Sequence, residues 1–214
     1  MYNQAMTETV LETCASHSGF MKRGRRLEYF TIGWNLFEAC VAASSGLAAG
    51  SVSLIGFGMD SLIESLSGIT LIWRLREHPD NNTREKRALR LVGISFLVLA
   101  IYVGGGSGKV LFKREPPDTS LVGICLAIAS LLVMPVLARA KRRVAVKIDS
   151  RALHADSRQS DLCAYLSLIL LVGLSLNASM GWWWADPVVG LLMVPLMVKE
   201  GIAAIRGAKC GCGS

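Results

Sequence analysis

The stretch SLIGFGMDSLIESLSGITLIW, Ser53–Trp73, decides how the chain is read. It is long enough to cross a hydrocarbon core of about 30 Å as a helix, yet it carries two acids, Asp60 and Glu64. A carboxylate at the bilayer centre costs roughly 2.5–3.5 kcal/mol on insertion scales, so such residues face a cavity or a partner and mark an ion pathway. Residues four apart are separated by about 40° around a helix, so both acids point into one site. Ser53 and Ser67, seven before and seven after Asp60, lie within about 20° of it and complete a polar stripe on an otherwise apolar helix. Packing alone needs only one small polar group. Two adjacent carboxylates repel unless a cation or a proton neutralises them.

Working outward, five more runs of similar length follow the same rule: Tyr29–Ala49, Ala88–Gly108, Thr119–Ala138, Leu153–Leu176 and Ala185–Ile205. With 52% hydrophobic and 18% charged residues and a mean hydropathy of +0.44, the 214 residues lack the charged surface of a soluble domain. The expected fold is an all-α integral membrane protein of the cell membrane, with six transmembrane helices and both termini cytoplasmic. Its parts would be a cytoplasmic tail over 1–28, a six-helix domain over 29–207 and a Cys-containing cytoplasmic tail over 208–214. The first run lies behind a polar or mixed stretch and has no short apolar core with a cleavage site, so it is expected to be kept as a span. Orientation follows from Lys and Arg, which cytoplasmic loops retain. With both tails inside, 20 of the 23 basic residues fall on the inner side, and only Lys109, Lys113 and Arg114 face outward. The loop Asn177–Trp184 has no basic residue and carries Trp182, Trp183 and Trp184, suited to an interfacial belt among membrane lipids. The net charge of +7 therefore calls for no nucleic acid, because the basic residues flank spans and form no groove with interleaved aromatics.

Several small motifs carry no chemistry. Gly104–Lys109 looks like a phosphate loop, but Val103 stands at the first required glycine and Val110 where Ser or Thr would bind magnesium. It is expected instead to be a flexible exit from the third helix. Gly46 and Gly50 form a G-x-x-x-G that brings helices close. Cys40, Cys125 and Cys163 lie singly in three spans, and Cys14, Cys210 and Cys212 lie on tails where thiols stay reduced, so no disulfide set is expected. Cys210 and Cys212, with Cys14 and His17, are incidental thiols and polar groups of the tails or soft accessory ligands for a thiophilic ion.

Further acids lie in the first and fifth spans. Asn35 and Glu38, about 60° apart, could line the same cavity, or Glu38 could pair with a basic loop. In the fifth span Asp156 and Asp161 are some 140° apart and cannot share a face. Asp156 shares its face with Gln159, Ser160 and Cys163, a coherent donor stripe, whereas Asp161 has Arg158 at i−3 as an ion-pair partner. Depth argues for Asp161, the donor stripe for Asp156, and the stripe is given more weight. His154 reads as an entrance or loop residue. The third and fourth spans hold no acid, so a site drawn from the first, second and fifth helices is the economical reading.

From about Tyr29 to Gly207 the chain resembles the cation diffusion facilitators, six-helix exporters of divalent metals. The resemblance rests on Gly50-Ser51-Val52-Ser53-Leu54 and Asp60-Ser61-Leu62-Ile63-Glu64, on Ala155-Asp156-Ser157-Arg158-Gln159-Ser160, and on Ala185-Asp186-Pro187. It implies a tetrahedral metal site to which Asp60, Glu64 and Asp156 contribute, with Asp161 as the competing residue of the fifth helix, and it makes Asp186-Pro187 the structural start of the sixth helix. Ala152 and Ser157 stand four residues before the two aspartates, where zinc-selective members carry histidine. The sequence resembles a short, membrane-only branch without the family's C-terminal cytoplasmic domain.

The resemblance implies no cofactor, with a divalent metal as substrate. Zinc comes first, and an oxygen-rich site also admits manganese, iron, cobalt or cadmium. The mechanism it suggests is metal/proton antiport by alternating access: carboxylates take metal from the cytoplasm, the bundle rocks, and protons from outside compete for the same oxygens. A homodimer is a further expectation. The rivals are a membrane-bound metal sensor or assembly factor binding through the Cys tails, and an intramembrane enzyme using Asp60 and Asp156 as an acid/base pair.

Overall fold

The computed structural model describes residues 2–76, 82–114 and 117–206, with side chains from Gly19 onward apart from 73–89, 151–152 and 155. Among the described residues the six elements are all helices: α1 Tyr2–Ala49, α2 Val52–Arg76, α3 Asn82–Lys113, α4 Leu121–Lys147, α5 Arg151–Met180 and α6 Ala185–Ile205. The ends are set by local chemistry. Gly50, at φ 65°, lets the chain leave α1 in a left-handed turn. Ser120 caps α4 by accepting from the Gly123 N–H at 3.0 Å, and Ser150 caps α5 from the Leu153 N–H at 3.3 Å. Gly181, also left-handed, ends α5.

Five helices, α2 to α6, hold stretches long and apolar enough to cross a membrane: Val52–Ile72, Arg90–Lys113, Leu121–Lys147, Asp156–Met180 and Ala185–Ile205. By composition α1 is not among them, because Asn35 and Glu38 interrupt its apolar run. Its packing places it in the membrane all the same. A Cβ at Gly46 would collide with Ile55 near one end of α2, and Gly68 near the other end faces Ile32 and Glu28. Tyr29–Ala49 thus lies against the membrane-crossing part of α2 and crosses beside it. The protein is a multi-pass membrane protein.

The expected tail is helical from Tyr2 and continuous with the first span. One expectation is corrected. The glycine run 104–108, read as a flexible exit, lies inside α3, which continues to Lys113. Two of these glycines are packing positions: a Cβ at Gly106 would meet Val52 at 2.9 Å, and one at Gly104 would touch Val194. Helices pair as α1 with α2, α3 with α6 and α4 with α5, while α1 also meets α4 and α2 meets α5. Large apolar residues such as Phe37, Ile101, Leu132 and Leu192 face outward, which in a bilayer is the lipid side. The acids face in.

Candidate metal pathway

Asp60, Glu64, Glu38 and Asp156 are all buried, on three helices of one bundle interior. The apolar stripes of α1, α2 and α5 carry these acids inward together with the small residues that let the helices approach. Each acid has its own partners. Glu38 accepts from Ser61 Oγ at 2.8 Å and lies 3.9 Å from Cys163 Sγ, joining α1, α2 and α5. Glu64 accepts from Ser160 Oγ at 2.8 Å. Asp60 lines a narrow cavity of about 10 Å³ with Phe96, Gln159, Leu166, Met197 and Glu200, room for about one water molecule.

The bonding leaves polar capacity unused. Glu38 Oε1, Glu64 Oε2, Asp156 Oδ1, both amide atoms of Asn35 and Gln159 Nε2 are buried without a hydrogen-bond partner. Such atoms are costly in a dry interior and are met by water or an ion. Among the described residues no three carboxylate, thiol or imidazole groups converge closely enough to hold one ion. Among the described residues the acids do not form a closed tetrahedral shell in this conformation.

The two aspartates of α5 lie on different faces. Asp156 points inward and is ion-paired with Lys141 of α4. Asp161 is only partly buried and pairs with Arg142 of α4, whereas Arg158, the expected partner, is exposed. The intrahelical pair gives way because α4 runs along α5 and brings a guanidinium to Asp161 from outside the helix. Ser53, placed on the Asp60 stripe from its spacing, is instead bonded to Asp186, which also accepts from Ser51 Oγ at 2.7 Å. This buried clasp ties the start of α6 to the start of α2, the structural role expected of Asp186. Ser160 lies against Glu64 and Cys163 against Glu38. Cys210 and Cys212 lie outside the described residues.

Sequence reasoning missed three charged groups. Lys141 is fully buried, 3.3 Å from Glu28, and Glu28 is itself fully buried. Lys141 was read as one of several inner-loop charges; the available signal was its spacing from Ala138 and Ala145, small residues that share its buried face. Glu28 lay just outside the run assigned to the first span. Glu200, on the Asp60 cavity, lies near the end of the sixth span and was not singled out.

A helical bundle that crosses the membrane with a partly unsatisfied acidic interior defines an ion-handling membrane protein. The cation efflux transmembrane domain matches residues 30–208, and the chain belongs to the cation efflux family, a family of transporters and not of enzymes. It is 29% identical over 151 residues to an uncharacterized transporter of Synechocystis sp., covering 66% of this chain and 49% of that protein. It is 23% identical over 188 residues to transmembrane protein 163 of Xenopus laevis, covering 86% and 66%. It is 25% identical over 170 residues to the cation-efflux pump FieF of Salmonella typhi, covering 73% and 56%. The chain thus spans about half to two thirds of the length of these relatives.

Proposed function

We propose that this protein exports a divalent transition-metal cation from the cytoplasm in exchange for protons. The observation that carries the reading is the set of four buried carboxylates, Glu38, Asp60, Glu64 and Asp156, on α1, α2 and α5, three of which keep an unpartnered oxygen. An unpartnered oxygen on a buried carboxylate is available to a cation. The cation-efflux names of relatives in the same family support export as the direction.

Asp60, Glu64 and Asp156 supply the metal ligands, with Glu38, Asn35 and Gln159 lining the way. An oxygen-rich donor set without histidine favours hard and borderline ions, so zinc, manganese, iron, cobalt and cadmium are the substrates to compare, with zinc first. Carboxylates bind metal only when deprotonated, so protons arriving from the opposite side release it. Alternation comes from rocking of the bundle about the midplane. The test is uptake of each metal into proteoliposomes holding the purified full chain. Saturable, protein-dependent uptake of at least one of these ions is expected, and no uptake of any of them would sink the proposal.

A further inference from the structure

Lys141 is the odd member of the acid interior. Its side chain has no exposed surface. Its ammonium lies 3.3 Å from Glu28 of α1 and 3.5 Å from Ser160 Oγ of α5, and is ion-paired with Asp156 of α5. Ser160 in turn donates to Glu64 of α2. One cation therefore sits between two carboxylates, and its network reaches the acids of the second helix. Burying an ammonium costs several kcal/mol per ion even after relaxation, and an apolar side chain is often the more stable filler. A packing role alone is a poor account of a lysine there.

The two partners differ. Asp156 belongs to the proposed metal pathway, whereas Glu28 stands at the edge of the first span, outside the cluster formed by Glu38, Asp60 and Glu64. A carboxylate oxygen engaged by an ammonium is not free for a metal. We propose that Lys141 is a tethered competitor of the transported metal: in the metal-free protein its ammonium is shared between Asp156 and Glu28, and it stays with Glu28 alone when a divalent ion takes Asp156. The inference rests on reading the acid cluster as a divalent-cation route.

Selectivity follows from charge. A monovalent ion at Asp156 gains about the Coulomb energy that the ammonium already provides, so it displaces nothing, whereas a divalent ion gains about twice as much at the same distance. Glu28 matters because it keeps the ammonium displaced from Asp156. Without it, Lys141 would lose its second partner and hold Asp156 more tightly.

The test measures the half-saturating zinc concentration for uptake by the full chain in proteoliposomes at fixed pH. Glu28→Gln keeps the shape of the side chain and removes the alternative partner, so half-saturation should rise by about tenfold, a shift of about 1.4 kcal/mol. The double variant Glu28→Gln with Lys141→Met removes one charge of each sign and leaves Asp156 without a competitor. Its half-saturation should fall below the wild-type value, and sodium, harmless to the wild type, should now inhibit uptake. Opposite shifts in the two proteins are the signature, since loss of a merely structural contact would move both the same way. Shifts in the same direction, or an unmoved half-saturation in either protein, would overturn the competitor role. Should the double variant not fold, Glu28→Gln decides alone, and an unchanged or lowered half-saturation overturns it. Absence of wild-type uptake of zinc, manganese, iron, cobalt and cadmium alike would sink the export reading and the competitor with it, whereas wild-type uptake with unmoved variants sinks the competitor only.

Discussion

Replacing Glu64 by Gln separates a transport acid from a packing acid. The Glu64 side chain is buried; one oxygen accepts from Ser160 at 2.8 Å and the other has no partner. The amide keeps one accepting oxygen and the volume, loses the charge and puts an N–H donor group in place of the other oxygen. A carboxylate deep in the bilayer costs roughly 2.5–3.5 kcal/mol on insertion scales, while the retained hydrogen bond is worth about 1 kcal/mol. The variant should therefore be as stable as the wild type or more stable, by about 1–2 kcal/mol once the new N–H donors claim part of the gain. Transport should fall by about 100-fold or more, because altering even a supporting partner of a metal ligand costs about 10–100-fold. Thermal unfolding in bilayer discs and metal uptake in vesicles, on the same preparation, give the two numbers. Wild-type flux would refute the ligand assignment. Flux lost together with several kcal/mol of stability would show that Glu64 holds helices together.

Asp156→Asn should stop transport, while Asp161→Asn, which removes a half-exposed pair with Arg142 worth about 0–1 kcal/mol, should leave it nearly intact; uptake by the two variants side by side decides, and the reverse pattern would reassign the fifth-helix ligand. Gly93→Ala should lower stability by about 1–3 kcal/mol, since its Cβ would lie 2.6 Å from the Gly201 carbonyl oxygen of α6 and helix backbone yields little; an unchanged unfolding temperature would contradict this α3–α6 approach. Truncation after Gly207, removing Cys210 and Cys212, should leave maximal uptake nearly unchanged and at most raise the half-saturating metal concentration, because tethered donors act through local concentration; complete loss of uptake at saturating metal by folded protein would place the tail in the pathway.

The helices of the second to sixth spans were legible because lipid demands long apolar runs, and the last of them, Ala185–Ile205, has the boundaries read from sequence. The part of the first helix before Tyr29 was not, since nothing in a polar stretch marks a helix that extends past the membrane. Gly104, Gly105, Gly106 and Gly108 misled for a related reason: in water glycine breaks helices, whereas between membrane helices it permits close approach, and Gly106 meets Val52 in that way. The spacing of Asp60 and Glu64 fixed their common direction, and the angle between Asp156 and Asp161 fixed their separate faces. Which helix meets each face is tertiary information. It determines that Asp161 meets Arg142 of α4, that Ser53 meets Asp186 of α6, and that Lys141 lies between Glu28 and Asp156.

The central claim is that carboxylates inside this bundle exchange a divalent metal for protons. The most direct measurement is zinc accumulation in vesicles with an imposed proton gradient. With an acid interior, outward proton flow should drive zinc inward to a concentration above that outside, and collapsing the gradient with a protonophore should release the excess. Zinc that merely equilibrates, at the same rate with and without the gradient, would contradict the account.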